Sequence, residues 1–157
     1  MTAGSPWKNI LARRLPELGH RNWIGVVDSA YPLQTSPGIE LIWTDANYFE
    51  VLDEVLKTVA LAPHVRPLVH LDAELAGLTE ALAPAAPAFR QQLEAALEQK
   101  ETVLLPHEDI IAKLDAAGTM FRILLFKTTL TLPYTSVFLQ LECGYWSAEA
   151  EKSLRSV

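Results

Sequence analysis

The sequence predicts an α/β domain of three layers, a central mixed sheet flanked by helices on both faces. Short apolar runs rich in β-branched and aromatic residues, such as Trp23 to Val27 and Val137 to Cys143, alternate with amphipathic helical patterns along the chain. Runs that are apolar at nearly every position read as strands buried on both faces, the condition of a sheet covered by helices on each side. The 157 residues, half of them apolar, suit one domain spanning 1–157, with no internal repeat, low-complexity tract or linker.

Taken in order, residues 7 to 18 carry Trp7, Ile10, Leu11, Leu15 and Leu18 at helical spacing, after Ser5 as a cap and Pro6 in the first turn. Pro16 ends that helix early, Gly19 suits the position after it, and His20 falls in the loop leading to the strand Trp23 to Val27. Ser29 to Gly38, with two prolines and a glycine, reads as an irregular loop. Ile39 to Trp43 is a second strand. Thr44-Asp45-Ala46-Asn47 offers caps to a helix that lines up Phe49, Leu52, Val55, Leu56 and Val59 on one face.

Leu68 to Leu71 reads as a strand whose pairing is confined by Pro63 and Pro67. Ala73 to Leu82 and Ala88 to Gln99 are expected to be helical, with breaks at Pro84 and Pro87. Thr102 to Leu105 is a strand, and Pro106-His107-Glu108-Asp109 opens a helix with the proline and acidic first turn that suit a helix N-terminus. Arg122 to Phe126 and Val137 to Cys143 complete the strands, and the charged tail 147–157 is a frayed helix.

Composition excludes several function classes. The formal net charge is −6, and the 13 Lys and Arg residues are scattered, so a nucleic-acid partner is not expected. No run approaches the roughly 20 apolar residues of a membrane span, and Met1 to Pro6 lacks an apolar signal core, so no membrane partner and a cytoplasmic location are expected. The lone Cys143, in an apolar strand, reads as a buried, inert thiol. No Gly-rich phosphate loop, nucleophile elbow or Cys-x-x-Cys pair occurs, and no cofactor is expected.

Several polar residues stand out against the apolar elements. His20, before the first strand, is either an acid/base group titrating near neutrality or a helix-end histidine on the last carbonyls. Asp28, after the same strand, sits where ligands bind in open α/β sheets, or else bonds the backbone of its own turn. His107, in the first turn of a helix, is within reach of a ligand or is a surface residue beside Glu108. Tyr134 brings a hydroxyl and a ring face to a strand entry. His70-Leu71-Asp72-Ala73-Glu74 imitates a metal-ligand spacing, which a strand end running into an acidic helix start explains more simply, and no metal is expected.

Three of these segments carry a resemblance. Leu18-Gly19-His20, followed by a strand ending in Val27-Asp28 and then Tyr31-Pro32, resembles the opening signature of the ribose pyranase and fucose mutarotase family. Leu132-Pro133-Tyr134-Thr135-Ser136-Val137 resembles that family's Pro-Tyr-x-Asn motif, with Ser136 in place of the Asn, and Leu105-Pro106-His107-Glu108 resembles the His-Glu of its ribose branch. Tyr31 before Pro32 looks more like the fucose branch. Lys127-Thr128-Thr129-Leu130 departs from an Arg-x-Gly-Glu-like run and lacks its carboxylate.

The resemblance implies a cofactor-free monosaccharide isomerase that interconverts cyclic forms of a free sugar such as ribose or fucose. His20 would be the acid/base, with Asp28, His107, Tyr134, Thr135 and Ser136 binding the sugar. It further implies a homo-oligomer, a decameric ring. The alternative is a non-catalytic sugar-binding or scaffold protein of the same fold. Strand geometry adds a constraint, because His20 and Asp28 flank one extended strand and lie more than about 15 Å apart. One chain cannot bring both to one small sugar, so either a neighbouring subunit supplies one or only one touches the ligand.

Overall fold

The structure is a computed structural model that describes residues 5–156. Residues 1–4, the first four of the Met1 to Pro6 stretch read as lacking a signal core, lie outside the described residues, as does Val157 of the charged tail.

Six strands form one mixed sheet in the order β2-β5-β1-β6-β3-β4: β1 (Trp23–Val27), β2 (Ile39–Trp43), β3 (Val65–Asp72), β4 (Thr102–Leu105), β5 (Ile123–Lys127) and β6 (Val137–Cys143). The last strand runs antiparallel to both its neighbours, β1 and β3, while the other three pairings are parallel. All five positions of β1 are buried, because this strand has a strand on each side and packed side chains on each face.

Side-chain alternation assigns the two faces. Ile24 and Val26 of β1, Leu124 and Phe126 of β5, and Val137, Leu139 and Leu141 of β6 point to one face. There they meet α1 (Pro6–Arg14), α2 (Tyr48–Leu61) and α3 (Ala86–Ala96) through Trp7, Leu11, Val51, Leu52, Val55, Phe89 and Leu93. The opposite face, with Trp23, Val27, Ile123, Leu125 and Phe138, packs on Ile110 and Leu114 of α4 (His107–Ala117). The expected layers are therefore present, three helices on one side and one on the other. The tail forms α5 (Ala148–Arg155), capped by the Ser147 hydroxyl on Ala150 N at 2.9 Å and buried at none of its positions.

Local signals set most element ends. Asn47 caps α2 by accepting from Phe49 N at 3.0 Å. Ser5 starts α1 with its backbone carbonyl, on Lys8 N, and its side chain makes no capping bond. Pro16 turns the end of α1 into a 3-10 turn over Leu15–Glu17. Gly25 leaves room on this face for side chains of both neighbouring strands, since a Cβ there would lie 2.6 Å from Leu125 Cδ2 on β5 and 2.8 Å from the Phe138 ring on β6.

Three sequence expectations are corrected. The strand expected at Leu68 to Leu71 runs from Val65 to Asp72, with Pro67 inside it. Leu141, the partner of Pro67, spends its own N–H and C=O on the β1 side, bonding Asn22 O and Arg21 N, so Pro67 occupies a position that needs no donor toward β6. On its other side pairing with β4 begins only at Val69, which leaves the missing N–H without consequence. The helix expected over Ala73 to Leu82 is a 3-10 turn, Ala73–Gly77, followed by irregular backbone to Ala85. Pro87 does not break a helix but sits in the first turn of α3, where its missing N–H is harmless.

Candidate active site

The carboxyl ends of the parallel strands and the start of the antiparallel β6 share one edge of the sheet. Reading across it gives Lys127 at the end of β5, Asp28 after β1, Tyr134-Thr135-Ser136 before β6, Asp72 at the end of β3 and His107 after β4. Open α/β sheets bind ligands at this edge, where loops can supply side chains without disturbing the core.

His107 is the hub of the cluster. Its Nδ1 lies 2.8 Å from Asp72 Oδ1, and the Asp72 side chain is fully buried. Asp72 Oδ2 accepts from Ser136 N at 3.3 Å. Burial pushes the Asp72 carboxyl up from its ordinary value, and the hydrogen bond from His107 opposes the shift. Both oxygens of Glu74 accept from His107 N, at 3.0 and 3.1 Å, and so satisfy an orphan donor at the positive end of α4. Two rings meet the imidazole nearly edge-on, Tyr134 at 5.6 Å and Tyr31 at 6.3 Å between centroids.

Asp28 belongs to the same corner. Burial raises its carboxyl above the usual range, and the amides of Asp28 and Ala30, then the charges of His107 and Lys127, act against that shift. The aspartate thus combines the two readings, since it bonds its own turn and also faces the charged groups of the cluster. Tyr31 is held from both ends. Its hydroxyl donates to Gln34 Oε1 at 2.5 Å and its carbonyl accepts from Lys127 Nζ at 3.1 Å. Burial pushes the Tyr31 phenol well above its ordinary value, so it stays protonated.

Tyr134 has φ 58°, the left-handed region that a residue with a Cβ seldom adopts. The turn is held from beneath, where Tyr48 Oη donates to Thr135 O at 2.6 Å and Thr135 Oγ1 donates to Leu132 O at 2.9 Å. This lifts the Tyr134 side chain outward, 38% exposed, and buries Thr135 and Ser136 behind it. Of the residues singled out in the sequence, Asp28, His107 and Tyr134 come together with open surface, while Thr135 and Ser136 support them from within.

His20 is not among them. It is exposed in the turn before β1, at the opposite edge of the sheet, and five strand residues at about 3.3 Å each put roughly 16 Å between it and Asp28. Its neighbour Arg21 also has a left-handed φ, 77°, and stacks its guanidinium 5.7 Å from the Phe121 ring.

Sequence reasoning passed over Asp72 and Glu74 as site residues and weighed them only as part of a metal-like spacing. Asp72 and Glu74 both turn to His107, whereas His70 stacks on Trp23 at 4.9 Å, so the three do not converge. Among the described residues no group of three or more His, Cys, Asp or Glu side chains is arranged to hold a metal ion. The available signal was an aspartate ending an otherwise apolar strand, since a buried carboxylate demands a partner.

No protein-family model matches the chain, and no curated protein matches it by sequence. Solved structures do match. RbsD of Bacillus subtilis complexed with D-ribose is 21% identical with a TM-score of 0.58, over 90% of this chain and 98% of that one. The fucose mutarotase of Streptococcus pneumoniae in complex with L-fucose is 21% identical with a TM-score of 0.60, over the same shares. FucU of Bifidobacterium longum is 15% identical with a TM-score of 0.50, over 85% of this chain and 94% of that one. These alignments run over most of each chain: the polypeptide has the fold of the RbsD and fucose mutarotase structures.

Proposed function

We propose that this protein is a cofactor-free monosaccharide isomerase, a pyranase or mutarotase that interconverts cyclic forms of a free sugar. The observation that carries the reading is the sheet-edge cluster in which His107, anchored on buried Asp72, stands beside Asp28 and the outward Tyr134. Carboxylates accept from sugar hydroxyls, an imidazole both gives and takes them, and an aromatic ring covers the apolar face of a sugar ring. Two proteins of the same fold hold D-ribose and L-fucose, which makes these the first sugars to try.

The chemistry needs only proton transfer. Opening a hemiacetal removes the proton of the anomeric hydroxyl while the ring oxygen gains one, and closure on the other face or on another hydroxyl reverses it. His20 is the acid/base in this reading, and a neighbouring copy of the chain brings it to the cluster, because its own copy holds it at the far edge. The working protein is accordingly a homo-oligomer, a decameric ring by resemblance, in the cytoplasm. No helix among the described residues is long and apolar enough to cross a membrane.

The second reading is a sugar-binding or scaffold protein without chemistry. It is favoured by the segment after β5, where Lys127 Nζ bonds Tyr31 O and the Thr128 and Thr129 hydroxyls bond Val27 O and Ala46 O, so that 127–130 offers the cluster no carboxylate. Saturation-transfer NMR on D-ribose, L-fucose and related sugars separates the two. Acceleration of anomer or ring-form exchange above the enzyme-free background is the expected result; binding without acceleration would establish the second reading. Light scattering on the same sample checks the shared site, which a stable, fully active monomer would refute.

A further inference from the structure

His107 is held by two carboxylates from one short segment, Asp72 on its ring and Glu74 on its backbone amide. Two donors converge on Asp72, the Ser136 amide at Oδ2 and the imidazole at Oδ1. An ionised carboxylate only accepts, so the ring proton belongs on Nδ1. A neutral imidazole protonated there has a free lone pair on Nε2. Among the described residues nothing bonds Nε2, and the side chain keeps 20% of its surface exposed. The edge-on rings of Tyr31 and Tyr134 limit rotation of the imidazole plane.

We infer that Asp72 is a positioning residue that fixes His107 as the Nδ1–H tautomer, making His107 Nε2 the group that takes the proton of a sugar's anomeric hydroxyl. The inference rests on the isomerase reading and extends it by adding a second proton-transfer group to His20. In the opening step the O1–H proton moves to His107 Nε2 and the O1–H electron pair becomes the second bond of C1=O1. The bond from C1 to the ring oxygen breaks with its pair on that oxygen, which takes a proton from the His20 imidazolium. Exchange with solvent water then returns a proton to His20 and removes one from His107.

Asp72→Asn tests the assignment with almost no change in shape. An amide cannot accept from both donors. If its oxygen serves Ser136 N, its NH2 faces His107 Nδ1, which must then become the acceptor and move the ring proton to Nε2. Nitrogen-15 NMR of histidine-labelled full chain, with the signal identified by His107→Gln, reads the tautomer directly. The expected result is an Nδ1–H ring in the wild type, a shift toward Nε2–H in Asp72→Asn, and a fall of about 10²-fold in net sugar exchange carried by kcat rather than KM.

An Nε2–H ring in the wild type overturns the inference, and this holds even if the variant fails to fold. An unchanged exchange rate in a folded variant whose tautomer has moved also overturns it, because Nε2 would then not be the base. A wild type inactive on every sugar, but with the tautomer shift intact, overturns the isomerase reading while supporting the role of Asp72.

Discussion

Removing one buried hydroxyl beneath the Tyr134 turn should weaken both the fold and the site. Tyr48 starts α2 with its ring 2% exposed, packed edge-on against Phe49 at 5.1 Å and Phe89 at 5.0 Å. Its hydroxyl donates to Thr135 O at 2.6 Å, a bond between α2 and the entry to β6 that spans 87 residues of sequence. Tyr48→Phe keeps the ring contacts and deletes only the donor, which leaves the carbonyl of a residue 1% exposed without it. Orphaning a buried acceptor costs about 1–3 kcal/mol. For a chain of 157 residues, that corresponds to a drop of roughly 2–12 °C in melting temperature.

Because the same bond holds the left-handed Tyr134 turn, sugar affinity should fall along with stability, as the ring samples more orientations. Circular dichroism melts and urea titrations give the first quantity, with an unchanged m-value showing that both end states are the same. Titration of sugar into the folded variant gives the second. A melting temperature within about 1 °C of the wild type would refute the argument that this bond anchors the turn.

His20→Ala should lower net sugar exchange by about 10²-fold while leaving the melting temperature where it was, since the residue is exposed; a full rate in the folded variant would remove His20 from the chemistry. His70 predicts an acid-side loss of stability. The ring is 4% exposed, stacked on Trp23, with Nδ1 unpartnered among the described residues. Burial lowers its pKa, Lys113 adds to the effect and the Leu68 backbone opposes it, so the folded state binds this proton less readily than the unfolded chain. Its contribution is therefore complete above the unfolded value of about 6.5 and is lost as pH falls below it. Asp28 and Asp72, whose carboxyls are raised on folding, act in the opposite sense, and the difference between wild type and His70→Phe isolates the histidine. Urea midpoints from about pH 7.5 to about pH 5.5 should fall more steeply in the wild type; parallel curves would show that His70 binds its proton equally well in the folded and unfolded chain, against the expected effect of burial.

Strand and helix identity were legible along the chain because they follow from patterns a few residues long. The apolar runs of β1, β2, β4 and β6 match the expected bounds, as do the Asn47 cap and the proline-led start of α4. The layers followed too, since strands buried on both faces require helices on both. The sequence also foretold that His20 and Asp28 lie apart, because they flank one extended strand.

Tertiary structure alone decided what stands beside what. Pro67 looks like a strand breaker until its partner Leu141 is seen to bond the other neighbour. Ala73 to Leu82 has helical composition, yet Asp72 and Glu74 are drawn to the start of α4, and the backbone between β3 and α3 follows them as a tight turn and irregular chain. The Asp72 and His107 pair, 35 residues apart, leaves no local trace, because strand order rather than spacing brings the ends of β3 and β4 together. Periodicity shows which side of an element is buried, but the partner of a buried carboxylate is chosen by the cost of leaving it unpaired, and that cost exists only once the sheet has assembled.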